Sequence, residues 1–447
     1  MGKLDNITGL SVTTLQPIMV TPAENTPKEI LYLSNIDSQA GVRATCQTLH
    51  VYGACPKNHA VPAHVIRHAI SKALVYYYPF AGRMRENADG KLEVWCTGEG
   101  AVFVEGSANC SLEEVGYLAQ LTPCLKQLVY DYPMVYKHHD IPPLVIQVTR
   151  FRCGGFVLGL GVSHCMSDGL GFSQFLNAIA DLARGAPLLS VTPVWKREIL
   201  KPRSPPTVNF DHKEFRSSVI DVTATGGPVP GSFLVTAQSL DKLKKNVLAG
   251  KMKDDEQYLY CSTFEALAAF VWKSRVKALE ISFDEEVRLY FAVNVRKLYR
   301  PPLPEGYYGN GFFGACVVAS ARVVREASLW DLVRMVKEEK ARLTDEYLRS
   351  VIDFLDLHDP KPEVGPPSAT ELYLSDWSRM AFSQVDFGWG EAVNVTPANF
   401  PFVHACVFLP PPITNTDAKR KNGIRVITCL PSEAMEKFKS EMGKLDM

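Results

Sequence analysis

Hydrophobic and polar positions in the first half of the chain follow the periods of helices and strands in turn. Residues 62–78, "PAHVIRHAISKALVYYY", place apolar side chains at every third or fourth position, which predicts a helix between two prolines. The segment "LVIQVTRFRCGGFVLGLGVSH" predicts a hairpin that turns at Cys153–Gly155. Its second strand ends at His164, and a helix from about Gly169 to Arg184 follows.

Neither period continues through the middle of the chain. Five prolines lie between residues 187 and 206, and we predict a long crossover over residues 187–225. One hydrophobic core rarely serves more than about 300 residues, so a chain of 447 residues also favours two domains. We expect an N-terminal domain at 1–186 and a C-terminal domain at 226–447.

Strands and helices alternate again in the second half. The helix "STFEALAAFVWKSRVKAL" opens with the capping box Ser262-x-x-Glu265, and Ser239 is the predicted N-cap of the helix before it. Strands are predicted in "VRLYFAVNVRKL", "GFFGACVVASARVV", "LYLSDWSRM", "VHACVFLPPP" and "GIRVITCLP". The fold class is therefore α/β, of the mixed α+β kind.

Composition and charge exclude several classes of protein. Lys+Arg and Asp+Glu both number 48, which gives no basic surface for nucleic acid or an anionic membrane. The 11 cysteines form no C-x-x-C pair, so neither a zinc site nor a disulfide framework is predicted. No apolar stretch reaches the roughly 18 residues of a membrane span. We expect a cytoplasmic protein without a bound metal.

The segment "SHCMSDGLGF" carries the first candidate chemistry, His164 and Asp168. Histidine is the usual general base near neutral pH, and a strand end that enters a helix commonly faces a ligand. A turn histidine with Asp168 capping the helix explains the same pattern. His164 cannot readily activate Cys165 as a nucleophile, because neighbouring residues on an extended segment point to opposite faces. No G-x-S-x-G is present, so a base that acts directly on a bound hydroxyl is the simplest mechanism.

A second unusual segment is "DFGWG", residues 386–390. Asp386, Gly388 and Gly390 predict a tight turn with its carboxylate held by the loop. A catalytic aspartate is the alternative interpretation, but no partner for it lies nearby in the sequence. The pattern alone favours a structural turn.

Together, "SHCMSDG" and "DFGWG" resemble the paired motifs of the BAHD acyl-CoA-dependent acyltransferases of plants. Segments such as "LVYYYPFAGRMRE" and "NVRKLYRPPLPEGYYGN" extend the resemblance over nearly the whole chain. It is strongest to the branch with taxane acyltransferases, benzyl alcohol benzoyltransferase and p-coumaroyl-CoA monolignol transferases. The resemblance implies two chloramphenicol-acetyltransferase-like domains, with donor and acceptor meeting in a channel between them.

The resemblance also implies roles for individual residues. His164 is the expected base, Asp168 pairs with Arg296 to hold the loop, and Asp386 is sometimes written as a second proton acceptor. The glycines of the two motifs support these loops: Gly169, Gly388 and Gly390. The CoA channel and the acyl or acceptor side are expected at Ser262, Thr263, Asn310, Ser375 and Trp377.

The expected function is O-acyl transfer from a CoA thioester to an alcohol of plant specialised metabolism, with an acetyl, benzoyl or hydroxycinnamoyl group. Acyl-CoA is a co-substrate, so no resident cofactor is expected, and we expect a monomer. Two alternatives remain open: a thioester or ester hydrolase, and a carrier-protein-dependent condensation enzyme. Condensation enzymes typically have a doubled histidine, whereas Ser163 precedes His164 here.

Overall fold

A computed structural model describes residues 9–88, 90–132, 141–215, 227–251, 260–358, 368–400, 403–413 and 422–446. The α-helices in these ranges are α1 Pro62–Tyr76, α2 Gly169–Ala183, α3 Ala237–Ala249, α4 Thr263–Ala278, α5 Ala321–Glu326, α6 Leu329–Ala341, α7 Asp345–Leu357 and α8 Ser432–Gly443. Short 3₁₀ turns lie at Ala40–Val42, Tyr78–Ala81, Gly116–Leu118, Pro123–Leu128, Arg197–Leu200, Lys213–Phe215 and Ala381–Gln384.

The strands of the described ranges form three sheets. They are β1 Val12–Thr14, β2 Ile18–Val20, β3 Ile30–Tyr32, β4 Thr45–Tyr52, β5 Arg83–Glu86, β6 Leu92–Trp95, β7 Ala101–Ala108, β8 Leu144–Arg150, β9 Phe156–Ser163, β10 Pro228–Val235, β11 Glu286–Asn294, β12 Phe312–Ser320, β13 Glu371–Asp376, β14 Asn394–Pro397, β15 Ala405–Leu409 and β16 Ile424–Pro431.

The largest sheet has the order β1-β7-β8-β9-β4-β14, with β2 also paired to β7. A second sheet has the order β10-β16-β15-β13-β11-β12, and β3-β6-β5 form a small third one. Strand β14 comes from the second half of the chain, yet it pairs antiparallel with β4, Asn394 opposite Val51 and Pro397 opposite Thr48. The two halves therefore share a sheet.

Helix α2 begins at the end of the loop that contains His164. Asp168 has an extended backbone and accepts a hydrogen bond from Gly171 N, so it is the N-cap. Phe172, Phe175 and Leu176 on the inner face are buried in a core that also contains residues of α1, β8 and β9. The core thus fixes the helix and, through its cap, the position of the preceding loop.

The mixed α/β fold class is confirmed, as are the β8–β9 hairpin, helices α1 and α2, and the capping box of α4. The prediction of Ser239 as an N-cap was wrong. The N-cap of helix α3 lies three residues earlier, at Thr236, which is extended and whose side chain accepts from Ser239 N. The domain boundaries stay a prediction. No helix among the described residues is long and apolar enough to cross a membrane.

Candidate active site

A cavity of about 460 Å³ opens between the two large sheets, with His164 on its wall. Strands β4 and β9 and helix α2 contribute one side, while β11, β13 and the start of α4 contribute the other. Its lining residues are Cys46, Thr48, Val162, His164, Ser167, Asp168, Gly169, Leu170, Phe172, Ser262, Phe264, Phe291, Ala292, Val293, Asn294, Arg296, Phe312, Lys340, Ser375, Asp376, Trp377, Arg379, Met380 and Phe382. Its volume is typical of small-molecule sites.

His164 is the first residue after strand β9, and its backbone N–H donates to Ala44 O at 2.9 Å. This bond extends the pairing of β4 with β9 by one residue, and the imidazole lies on the cavity wall. Ring atom Nδ1 lies 3.1 Å from Asn310 Oδ1, and the Phe312 ring lies beside the imidazole at 5.7 Å between centroids. Nδ1 is thus engaged within the protein, and Nε2 is the nitrogen left for a substrate.

Asp168 is buried and holds two segments together. Its carboxylate accepts two bonds of 2.8 Å from Arg296, and two of 2.9 Å from Gly171 N and Gly311 N. Paired donation by the planar guanidinium fixes both oxygens at once. Asp168 therefore joins the loop of His164 to the glycine loop of residues 306–311. Each of its two carboxylate oxygens accepts two hydrogen bonds from these neighbours.

The glycine loop approaches α2 closely. Ser167 Oγ donates to Tyr308 O at 2.7 Å. A Cβ atom on Gly171 would lie 2.1 Å from Tyr308 O, and a Cβ on Gly309 would lie 2.0 Å from the Arg197 guanidinium. Without a shift of the neighbouring atoms, no Cβ atom fits at either of these two positions.

Cys165 faces away from the cavity. It is buried, and its thiol donates to Val42 O at 3.2 Å. Burial raises the pKa of this thiol to about 12, so the thiolate needed for covalent catalysis is not formed near neutral pH.

The "DFGWG" segment lies outside the cavity wall. Asp386 Oδ1 accepts from Gly388 N at 2.7 Å and from Gly390 N at 2.8 Å, and both glycines have positive φ. Trp389 packs edge-on against Phe156, in the core of the first large sheet. The structure does not bring Asp386 together with His164, and it gives the segment the geometry of a carboxylate-held turn.

Three of the five residues predicted for the substrate channel lie on the cavity wall: Ser262, Ser375 and Trp377. Gly169 also lines it, next to the Met380 side chain. Thr263 is the first residue of α4 and lies outside the wall, and Asn310 is fully buried behind the His164 ring. The roles of Thr263 and Asn310 in a substrate channel stay predictions.

Several polar residues at the site were not predicted. Thr48, Lys340 and Arg379 line the cavity, and Asp37 and Arg197 lie buried behind it. Arg197 belongs to the predicted crossover, where the proline-rich composition indicated only a linker. The turn "SNID" at 34–37 carried a weak signal, because an Asp side chain often holds such turns.

With this geometry the chain can be compared with known proteins. A model of the Transferase family matches residues 10–445. The chain belongs to this family, the BAHD acyl-CoA-dependent acyltransferases. It is thus an acyltransferase, as the two motifs indicated.

Two plant members of the BAHD family are similar along their whole length. Benzyl alcohol O-benzoyltransferase of Nicotiana tabacum is 40% identical over 446 residues, which cover 97% of this chain and 93% of that one. Taxadien-5-alpha-ol O-acetyltransferase of Taxus chinensis is 37% identical over 444 residues and 97% of both chains. The structure of F. sporotrichioides TRI101 complexed with coenzyme A and T-2 has the same fold, with a TM-score of 0.77, 16% identity, and coverage of 93% of this chain and 98% of that one.

Proposed function

We propose that this protein transfers an acyl group from a CoA thioester to an alcohol hydroxyl, with His164 Nε2 as the general base. The observation that carries the proposal is the His164–Asn310 contact. It engages Nδ1 within the protein and leaves Nε2 at a cavity large enough for the reacting ends of both substrates. Acyl-CoA is then a co-substrate, and the chain needs no resident cofactor.

The reaction needs only one residue for both proton transfers. Nε2 takes the hydroxyl proton as the acceptor oxygen attacks the thioester carbonyl, and a tetrahedral intermediate forms. The carbon–sulfur bond then breaks, and the imidazolium returns its proton to the departing CoA thiolate. The products are the ester and free CoA, without an acyl-enzyme. The absence of a thiolate at Cys165 agrees with this direct route.

The cavity supports an aromatic or similarly apolar substrate. Its exposed wall is mainly apolar, and it contains Trp377 and five phenylalanines: Phe172, Phe264, Phe291, Phe312 and Phe382. The similar proteins of tobacco and yew are named for a benzoyl and an acetyl group. We therefore propose a benzoyl, hydroxycinnamoyl or acetyl donor and an alcohol of plant specialised metabolism.

All eleven cysteines lie in described parts of the chain, and none of them forms a disulfide. Unpaired thiols in this number are typical of a reducing compartment, which supports a cytoplasmic location as part of the proposal. A monomer as the working unit stays a prediction.

The test combines product analysis with replacement of the base. Acetyl-CoA, benzoyl-CoA and p-coumaroyl-CoA are each incubated with a panel of alcohols, and ester and free acid are measured by mass spectrometry. We expect ester only when an alcohol is present, whereas acid without alcohol would indicate a hydrolase. His164→Ala should lower kcat by ~10²–10⁴-fold, while its circular dichroism spectrum stays the same as that of the wild type. The exposed His68→Ala on α1 is the control, and full turnover by folded His164→Ala would refute the mechanism.

A further inference from the structure

A chain of buried polar side chains lies behind His164. Nδ1 of the histidine is 3.1 Å from Asn310 Oδ1, and Asn310 Nδ2 donates to Asp37 Oδ1 at 2.8 Å. Arg197 Nε is 3.1 Å from Asp37 Oδ2. Asn310, Asp37 and Arg197 are each 0% exposed and none lines the cavity, so none of them touches a substrate there.

The neighbours of Asn310 determine which way its amide points. Nδ2 faces two oxygens, Asp37 Oδ1 at 2.8 Å and the carbonyl oxygen of His164 at 2.9 Å. A turned amide would place its oxygen against both acceptors and lose two hydrogen bonds. Oδ1 therefore faces the imidazole, and since it only accepts, Nδ1 must carry the proton. A neutral imidazole has one N–H, so Nε2 keeps its lone pair.

Asp37 is itself held as an acceptor. Its carboxylate receives Ser34 N at 3.0 Å, Ser34 Oγ at 2.6 Å and Asn310 N at 3.2 Å, besides the amide of Asn310. Arg197 adds the countercharge and donates through Nη2 to Met166 O at 2.7 Å. Met166 lies two residues after His164, so the same arginine braces the loop of the base.

We propose that Asp37 is a positioning residue, which acts through Asn310 to fix the Nδ1–H tautomer of His164 and so keeps Nε2 ready to accept a proton. The inference rests on the proposed role of His164 as the base. It assigns Arg197 of the crossover to holding Asp37 in place. The chain of contacts spans the N-terminal segment, the crossover and the glycine loop.

The decisive variant is Asp37→Asn. An amide at this position donates as well as accepts, so the Asn310 amide can turn and present Nδ2 to the imidazole, which favours the Nε2–H tautomer. We expect kcat to fall ~10²–10⁴-fold, the size typical of a wrong tautomer at a catalytic histidine. The Kd for acyl-CoA should stay within about threefold, because Asp37 is not on the wall. In ¹⁵N spectra of histidine-labelled protein, the His164 signals should change from Nδ1–H to Nε2–H.

A matched control exists in the same crossover. Arg203 pairs with the buried Asp353 at 2.6 Å, and this pair contacts none of the residues around His164 described above. Asp353→Asn also removes the charge of a fully buried carboxylate, so it should lower the urea midpoint in the same direction, although Arg203 is 36% exposed where Arg197 is buried. Its kcat should stay within about threefold of the wild type, with an unchanged His164 tautomer.

A second variant covers the case in which Asp37→Asn does not fold. Asn310→Ala keeps the Asp37–Arg197 pair and removes the acceptor for Nδ1–H. Both tautomers should then appear in the spectra, with kcat lowered at least about tenfold. Wild-type kcat and a pure Nδ1–H tautomer in either folded variant would overturn the inference. Turnover by His164→Ala would instead refute the proposed base, whereas the tautomer measurement does not depend on the reaction.

Discussion

Asp168→Asn tests whether Asp168 acts as a brace for the loop of His164. Each carboxylate oxygen accepts one bond from Arg296 and one from the backbone. Oδ1 receives Nη2 at 2.8 Å and Gly171 N at 2.9 Å, while Oδ2 receives Nη1 at 2.8 Å and Gly311 N at 2.9 Å. Asparagine has the same shape but one acceptor oxygen, so in either orientation its NH₂ group faces two donors.

The structure sets the size of the effect. One lost bond is to a guanidinium, worth about 1.5–3 kcal/mol, and the other leaves a buried backbone N–H unpaired at about 1–3 kcal/mol. Together they lower the free energy of unfolding by about 2.5–6 kcal/mol, a range that includes the usual cost of about 3–5 kcal/mol for breaking a buried ion pair. Asp168 shares its loop with His164, the proposed base, so displacement of the imidazole by about 1 Å should lower kcat by about 10²-fold.

Urea unfolding followed by fluorescence measures the first quantity, and steady-state release of CoA measures the second. A cycle with Asp168→Ala, Arg296→Ala and the double variant isolates the pair, and we expect the double variant to be no worse than either single one. Wild-type stability and turnover in Asp168→Asn would refute the brace. Additive losses in the cycle would refute the pairing.

Three further predictions follow from other contacts. Asp386→Asn should keep kcat within about threefold, because an amide oxygen can still accept from Gly388 N and Gly390 N. Asp386→Ala loses both hydrogen bonds and should lower the free energy of unfolding by about 1–2 kcal/mol. A large loss of kcat in folded Asp386→Asn would indicate that Asp386 is catalytic. Burial lowers the pKa of the His50 imidazole to about 4. As the pH falls below about 6.5, the imidazole therefore takes up a proton in the unfolded chain before it does so in the folded protein. The contribution of neutral His50 to the free energy of unfolding is therefore complete above pH 6.5 and should be about 2 kcal/mol smaller at pH 5. In His50→Gln, the urea midpoint should depend less on pH than in the wild type. Gly171→Ala should lower both the urea midpoint and kcat, since its Cβ would lie 2.1 Å from Tyr308 O; unchanged values would contradict the close contact.

The sequence predicts what depends on neighbouring residues. Helix α1, the β8–β9 hairpin and the capping box at Ser262 follow from periodicity and turn residues within about twenty positions. The placement of His164 at the end of β9 and of Asp168 at the start of α2 belongs to the same class, because strand, turn and helix are contiguous.

Contacts between distant segments could not be predicted in this way. The partner of a strand is not fixed by the strand next to it in sequence. Strands β6 and β7 follow each other along the chain, yet β6 pairs with β3 and β5 while β7 belongs to the largest sheet. No periodicity indicates that β14 pairs with β4, or that Arg197 is buried against Asp37. Arg197 lies between Lys196 and Glu198 in a proline-rich segment, a pattern that predicts an exposed side chain. Charged side chains are rarely fully buried unless they are paired, and the local sequence does not reveal Asp37 as the partner.

Two arginines, Arg197 fully buried and Arg296 partly buried, connect the loop of His164 to distant segments of the chain. Arg296 joins Asp168 to Gly309 O of the glycine loop, and Arg197 joins Asp37 to Met166 O of the base loop. A guanidinium serves here better than an ammonium, because its planar donors can reach a carboxylate and a carbonyl in fixed directions at once. The loop of His164 is thus held from both sides by ion pairs and hydrogen bonds within the protein. In the proposed mechanism the imidazole is therefore oriented before acyl-CoA or alcohol binds, and no binding energy is needed to orient it during the reaction.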